Sequence, residues 1–147
     1  METRRLTFND IPVVEEILKN LIDIADRGKP FPTVNHWKSL FNNPACYVIA
    51  ALENGKPLGF ALAYRFPSLY AEEEMAYLYD IEVLEAERKK GIGRQLITHL
   101  LEELKKDGTK SMWLGTEIDN IPAQQLYAST GAEKTGEIFY DYTYYLD

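Results

Sequence analysis

Two short runs carry the residues best suited to chemistry. The first is Tyr77-Leu78-Tyr79-Asp80-Ile81-Glu82-Val83, and Arg88-Lys89-Lys90-Gly91-Ile92-Gly93-Arg94 follows shortly after it. Strict alternation puts the carboxylates of Asp80 and Glu82 on one face of a strand, unless a bulge intervenes. The rest of that strand is apolar or aromatic, and a carboxylate there is costly without a partner or a task. One reading makes the pair solvated acids at a strand end. The other makes them a site for an amine. An alkylamine has a pKa of ~10.4, so freeing its lone pair at neutral pH costs roughly 4–5 kcal/mol. A carboxylate can anchor the ammonium and then accept its proton, directly or through water.

The second run takes a strand through a glycine-punctuated turn into a helix. Such a turn leaves backbone N–H groups pointing outward at the positive end of the helix dipole, a site for phosphate groups. The glycines let the backbone approach closely, and the flanking cations add charge. The plainer alternative is an ordinary strand-to-helix turn with a solvated basic face. The run lacks the Gly-Lys-Ser/Thr ending of a P-loop and the longer dinucleotide fingerprint.

The elements that hold these runs can be read from periodicity. Residues 4–7 read as an opening strand. Asn9 or Asp10 then caps a helix with Pro12 in its first turn and an apolar stripe of Val14, Ile17, Leu18, Leu21, Ile22 and Ala25. Gly28-Lys29-Pro30-Phe31-Pro32 breaks the chain before a shorter helix over 34–41. Strands follow at 47–52, 57–66 and 75–83, the first two joined by the turn Glu53-Asn54-Gly55-Lys56. A helix over 91–106 buries Leu96, Ile97, Leu100, Leu101 and Leu104, and Gly108 stops it. A strand at 111–116, a helix at 122–129 and a closing strand at 139–146 complete the order β-α-α-β-β-β-α-β-α-β. This is an α/β fold: a mixed, mostly antiparallel sheet flanked by helices. With no repeat or linker in 147 residues, a single domain over 1–147 is expected.

Composition narrows the function. Sixteen Lys and Arg against 23 Asp and Glu give a net charge of −7, which disfavours binding DNA or RNA through a broad basic face. No apolar run reaches the ~18–20 residues of a membrane span, and no signal peptide follows Met1. One cysteine, Cys46, excludes an intrachain disulfide and fits a reducing, cytoplasmic setting. With His36 and His99 it matches no zinc spacing, so no metal is expected.

Arg88-x-x-Gly91-x-Gly93, preceded by the strand through Val83, resembles the acetyl-CoA signature of the GNAT N-acetyltransferase family. Asn120, Ala123, Leu126-Tyr127 and Gly131 resemble the family's second element, and the order of elements agrees from Arg4 to Leu146. Ala132 departs from the pattern, which usually has an aromatic there. The resemblance implies a GNAT fold and direct acetyl transfer from acetyl-CoA to an amine, with no covalent enzyme intermediate. It implies that Arg88 and the backbone of Lys89, Lys90, Gly91, Ile92, Gly93 and Arg94 hold the pyrophosphate. The edge of Ile81, Glu82 and Val83 would pair with the pantetheine arm, and Asn120 would contact the same arm. Tyr127 would protonate the departing thiolate, and Asp80, with Glu82 beside it, would serve the acceptor.

Tyr-x-Tyr-Asp resembles the aminoglycoside 3-N-acetyltransferase and diamine acetyltransferase branches, although Tyr79 stands where the diamine branch often has glutamate. A small cationic acceptor follows from that resemblance. Polyamine or protein-amine acetylation and a non-catalytic acyl-CoA sensor are the alternatives. Trp37 and Phe31 would lie near one wall of the acceptor cleft. Tyr140, Tyr142, Tyr144 and Tyr145 would pack in the last strand or form the edge of a homodimer.

Overall fold

Alternation along β2 explains why the sheet has two cores. In the computed structural model, which describes residues 1–22 and 31–146, β2 spans Cys46–Glu53. Its Tyr47, Ile49 and Ala51 meet α3 (Ile92–Lys106) through Ile92, Leu96, Leu100 and Leu104. Its Ala50 and Leu52 face the other way, joining Leu6, Phe60 and, from α1 (Ile11–Asn20), Ile17. One strand therefore feeds two buried clusters, as a period of two requires.

The remaining elements are β1 (Glu2–Arg5), α2 (Val34–Asn42), β3 (Lys56–Pro67), β4 (Glu74–Val83), β5 (Thr109–Trp113) and α4 (Ile121–Ser129). The strands lie in the order β1-β2-β3-β4-β5, antiparallel except for the parallel pair β4–β5. Asn54 and Gly55 both take positive φ in the β2–β3 turn, which matches the right-handed twist of the hairpin. At Gly59 a Cβ would stand 2.9 Å from the carbonyl oxygen of Glu82, so only glycine lets β3 lie this close to β4.

Several sequence expectations are corrected. Asp10 is the N-cap residue of α1, as expected, but its side chain makes no cap hydrogen bond there; the capping box lies one turn earlier, where the Thr7 hydroxyl accepts from the Asn9 N–H and the Thr7 N–H donates to the Asp10 carboxylate. Asp10 is also held by two hydrogen bonds from the Arg4 guanidinium, at 2.9 and 2.7 Å. This pairing is the main reason its carboxyl lies below the usual range. Leu101 is exposed, because the buried stripe of α3 runs through 92, 96, 100 and 104. The apolar stripe expected to reach Ala25, and the break at Gly28-Lys29-Pro30, fall partly outside the described residues. Trp37 is buried, so its ring packs inside. Two strand expectations also fail. β5 stops at Trp113 rather than residue 116. Residues 139–146 form no strand, and Tyr140, Tyr142, Tyr144 and Tyr145 stand almost fully exposed. An alternating aromatic run suits a pleated sheet, but it becomes a strand only when its N–H and C=O groups find a partner.

Candidate active site

β4 and β5 part company half-way along β4. Their pairing runs from Glu74↔Thr109 to Tyr77↔Trp113 and ends there, while β4 continues to Val83. Over residues 78–83, β4 is paired to β3 on one side, and no described strand pairs with its other edge. That edge offers backbone donors and acceptors to an extended ligand.

The split coincides with a bulge. The register with β3 passes from Leu62↔Asp80 to Ala63↔Leu78, so Tyr79 is the extra residue. The consequence for the carboxylates is large. Ala76 and Leu78 point into the α3-side core, and strict alternation would drive Asp80 and Glu82 in after them. The extra residue turns both acids to the opposite face, opposite Leu62 and Phe60, while Ile81 and Val83 take the α3 side. Asp80 and Glu82 do share a face, as the spacing suggests, but the bulge decides which one.

Tyr127 of α4 packs against the α3-side core and is half-buried. Burial, and then the negative charges of Asp80 and Glu82, raise its hydroxyl above the ordinary tyrosine value. Tyr127 thus lies on the α3 side of the sheet and the two acids point to the other, with their negative charge felt at its hydroxyl.

The turn before α3 carries two residues in the left-handed region. Lys89 and Gly91 take positive φ (63° and 83°), and no side chain caps the first turn of α3. A Cβ on Gly91 would meet nothing within 4 Å, so the space beside it is open. The cations shape this turn. Arg88 donates from Nε to the Val83 carbonyl (3.2 Å), Lys90 pairs with Glu87 (3.1 Å), and Arg94 donates to the Ser129 carbonyl at the end of α4 (3.1 Å). Ile92 is buried in the core, so only its backbone is on offer.

Two residues have roles that the spacing alone did not reveal. A Cβ on Gly93 would lie 3.0 Å from Leu126 Cδ2, so this glycine lets α4 seat against α3. Asn120 caps α4, its Oδ1 accepting from the Ala123 N–H at 3.2 Å. A further group was missed: the rings of Tyr64, Phe66, Tyr77, Tyr79 and Trp113 meet across three strands, edge to face except for the tilted pair Tyr77–Trp113. Alternate aromatics at 64/66 and 77/79 were the available signal.

Residues 14–132 match the acetyltransferase (GNAT) family. The chain belongs to that family. A solved GNAT-like relative is an aminoglycoside acetyltransferase from an uncultured soil metagenomic sample, in complex with trehalose. It superposes with a TM-score of 0.82 at 27% identity, over 97% of this chain and 96% of that one. Among curated proteins, the D-amino-acid N-acetyltransferase HPA3 of Saccharomyces cerevisiae is 32% identical over 74% of this chain and 62% of its own length. The ribosomal-protein-bS18-alanine N-acetyltransferase of Escherichia coli K12 is 35% identical over 54% of this chain and 49% of its own. The match therefore spans less than two thirds of either curated relative. These three GNAT proteins are named for three different acceptors. Among the described residues, no helix is long and apolar enough to cross a membrane.

Proposed function

We propose that this GNAT chain is an N-acetyltransferase that moves an acetyl group from acetyl-CoA directly to the primary amine of a small cationic acceptor, aminoglycoside-like in chemistry. One observation carries the reading: where β4 leaves β5, the half-buried Tyr127 hydroxyl on the α3 side feels the charges of Asp80 and Glu82, which the bulge turns to the other face. The residues suit the donor. The positive-φ turn at Lys89 and Gly91 and the uncapped start of α3 would hold its pyrophosphate, and residues 81–83 of β4 would hydrogen-bond its arm, with Asn120 alongside. When bound, that donor supplies an activated acetyl thioester. Asp80 anchors the acceptor's ammonium and takes a proton from it, and the Glu82 charge reinforces the anchor. Tyr127 delivers its proton to the departing sulfur. The lone Cys46 suits a reducing compartment, and we assign the reaction to the cytoplasm.

The relatives named for α-amino acceptors favour a second reading, in which a free or peptide α-amine is acetylated. Acetyl-CoA consumption with aminoglycosides, polyamines, D-amino acids and alanine-terminated peptides separates the two. The account expects the highest kcat/KM with the polycations. Preference for zwitterionic amino acids or peptides would favour the second reading. Donor binding without turnover on any amine would make the chain a sensor.

A further inference from the structure

The aromatic rings described above form a continuous wall. Tyr79 meets Tyr77 (6.4 Å between centroids) and Tyr64 (5.9 Å), Tyr77 meets Trp113 (5.2 Å), and Trp113 meets Phe66 (5.3 Å). Tyr64, Phe66 and Tyr77 lie on the sheet face that carries Asp80 and Glu82, because Tyr64↔Tyr77 and Phe66↔Met75 are in register with Leu62↔Asp80. The wall is open to solvent: Tyr79 is 65% exposed, Trp113 44% and Phe66 37%. It begins at Tyr79, next to Asp80 in the strand, and beyond its Phe66 end the turn that joins β3 to β4 carries the exposed Glu72 and Glu73. The five residue steps of strand from Met75 to Asp80 span roughly 16 Å at most, since the bulge shortens them. Carboxylates therefore stand at both ends of an exposed aromatic surface.

This arrangement has a definite chemical complement. The negative face of an aromatic ring attracts an ammonium, most strongly for Trp and Tyr, and ring surfaces also cover apolar CH groups. We infer that the wall is a subsite for the part of the acceptor that does not react, and that it selects amines carrying a second cationic centre on an apolar frame. The inference rests on the amine-acceptor reading above. The reacting amine sits at Asp80, and the second cation lies over Tyr79, Tyr77 and Trp113, its charge facing π surfaces and Glu72–Glu73. The bulge makes the subsite possible. Without the extra residue, Asp80 would face the α3-side core and the wall would have no acid at its near end.

The test uses the full chain and an alkyl bis-quaternary diammonium, which has no N–H and so cannot be acetylated. Its neutral carbon isostere, with each nitrogen replaced by carbon, is the control. The diammonium should inhibit competitively against a polycationic acceptor and quench Trp113 fluorescence, and the isostere should do neither at the same concentration. Trp113→Leu and Tyr79→Leu should each weaken diammonium inhibition by about 3- to 30-fold, the range of a cation–π contact. Tyr79→Phe and Trp113→Tyr, which keep a ring, should restore most of it, with the KM for acetyl-CoA unchanged throughout. Equal binding of diammonium and isostere, or leucine variants that bind like wild type, would overturn the subsite. The two readings fail separately. Diammonium binding without turnover on any amine would sink the acetyltransferase reading and leave the wall standing. Turnover with equal affinity for charged and neutral probes would do the reverse.

Discussion

Among the described residues, the first four residues of β4 have strands on both sides, and the last six have a strand on one side only. The paired half includes the fully buried Ala76 and acts as a structural strand. The other half contains the bulge, turns its two acids away from the α3-side core and leaves one edge that no described strand pairs. On the proposed reading, ending a pairing after Tyr77 is how this sheet would make room for the reactants. A bulge bends a strand and increases its twist, which accounts for β5 stopping where it does.

The comparison breaks most sharply at Tyr127. Tyr127→Phe keeps the ring that packs on the α3-side core and removes the proton. The account predicts a fall in kcat of about 10²–10⁴, the usual worth of a positioned general acid, with donor affinity near wild type. Because burial and the two acids raise the phenol, wild-type kcat should hold until the pH passes the ordinary tyrosine value of about 10 and then fall. Stopped-flow kinetics across pH would check both, and a pre-steady-state burst would reveal product release masking the chemical step.

The two glycines of the turn come next, and they should part company. Gly91→Val forces a β-branched residue to φ +83°, strain of about 1–3 kcal/mol, and should weaken acetyl-CoA binding roughly tenfold or more. Gly93→Val pushes on Leu126 and so disturbs its neighbour Tyr127, and should lower kcat as well as affinity. Lys89→Ala removes one solvated charge and should cost only about 2–5-fold in affinity. Calorimetry that ranks Lys89→Ala above Gly91→Val would contradict a backbone cradle.

The smallest effect lies far from the open half of β4, in the Arg4–Asp10 pair. The carboxyl of Asp10 is lowered by Arg4, so its contribution to stability is present above the unfolded value near 3.9 and lost as pH falls through the lowered folded value. Arg4 is partly exposed and the pair is screened, so Asp10→Asn should cost on the order of 1 kcal/mol at neutral pH. Denaturant unfolding should show that difference shrinking below pH 4, with kcat untouched.

The paired parts of the molecule were legible because their signals are local. The Asn54-Gly55 turn and the alternation of β2 and β3 specify a hairpin without reference to anything distant, and Ile92, Leu96, Leu100 and Leu104 specify the buried stripe of α3. The open parts were less so. No residue type announces the bulge, since Tyr79 is as good a strand residue as its neighbours. Gly93 reads as freedom for a ligand to approach, yet its Cβ position is filled by a side chain 33 residues away in sequence, Leu126. Tyr140, Tyr142 and Tyr144 alternate as well as any strand in the chain, but alternation cannot say whether a partner exists. The residue types of the site were readable; the face they occupy depended on one extra residue.

The claim at the centre is that the bulge in β4 delivers Asp80 to an amine. The most direct measurement is kcat/KM of Asp80→Asn against wild type with a polycationic amine, from pH 7 to pH 10. The substitution keeps the shape and removes both the charge and the proton acceptor. The account predicts a loss of about 10²–10⁴ at pH 7 that shrinks as pH nears the amine's own pKa, where less of the acceptor needs deprotonating. A variant that behaves like wild type at pH 7, or a deficit that stays constant to pH 10, would contradict it.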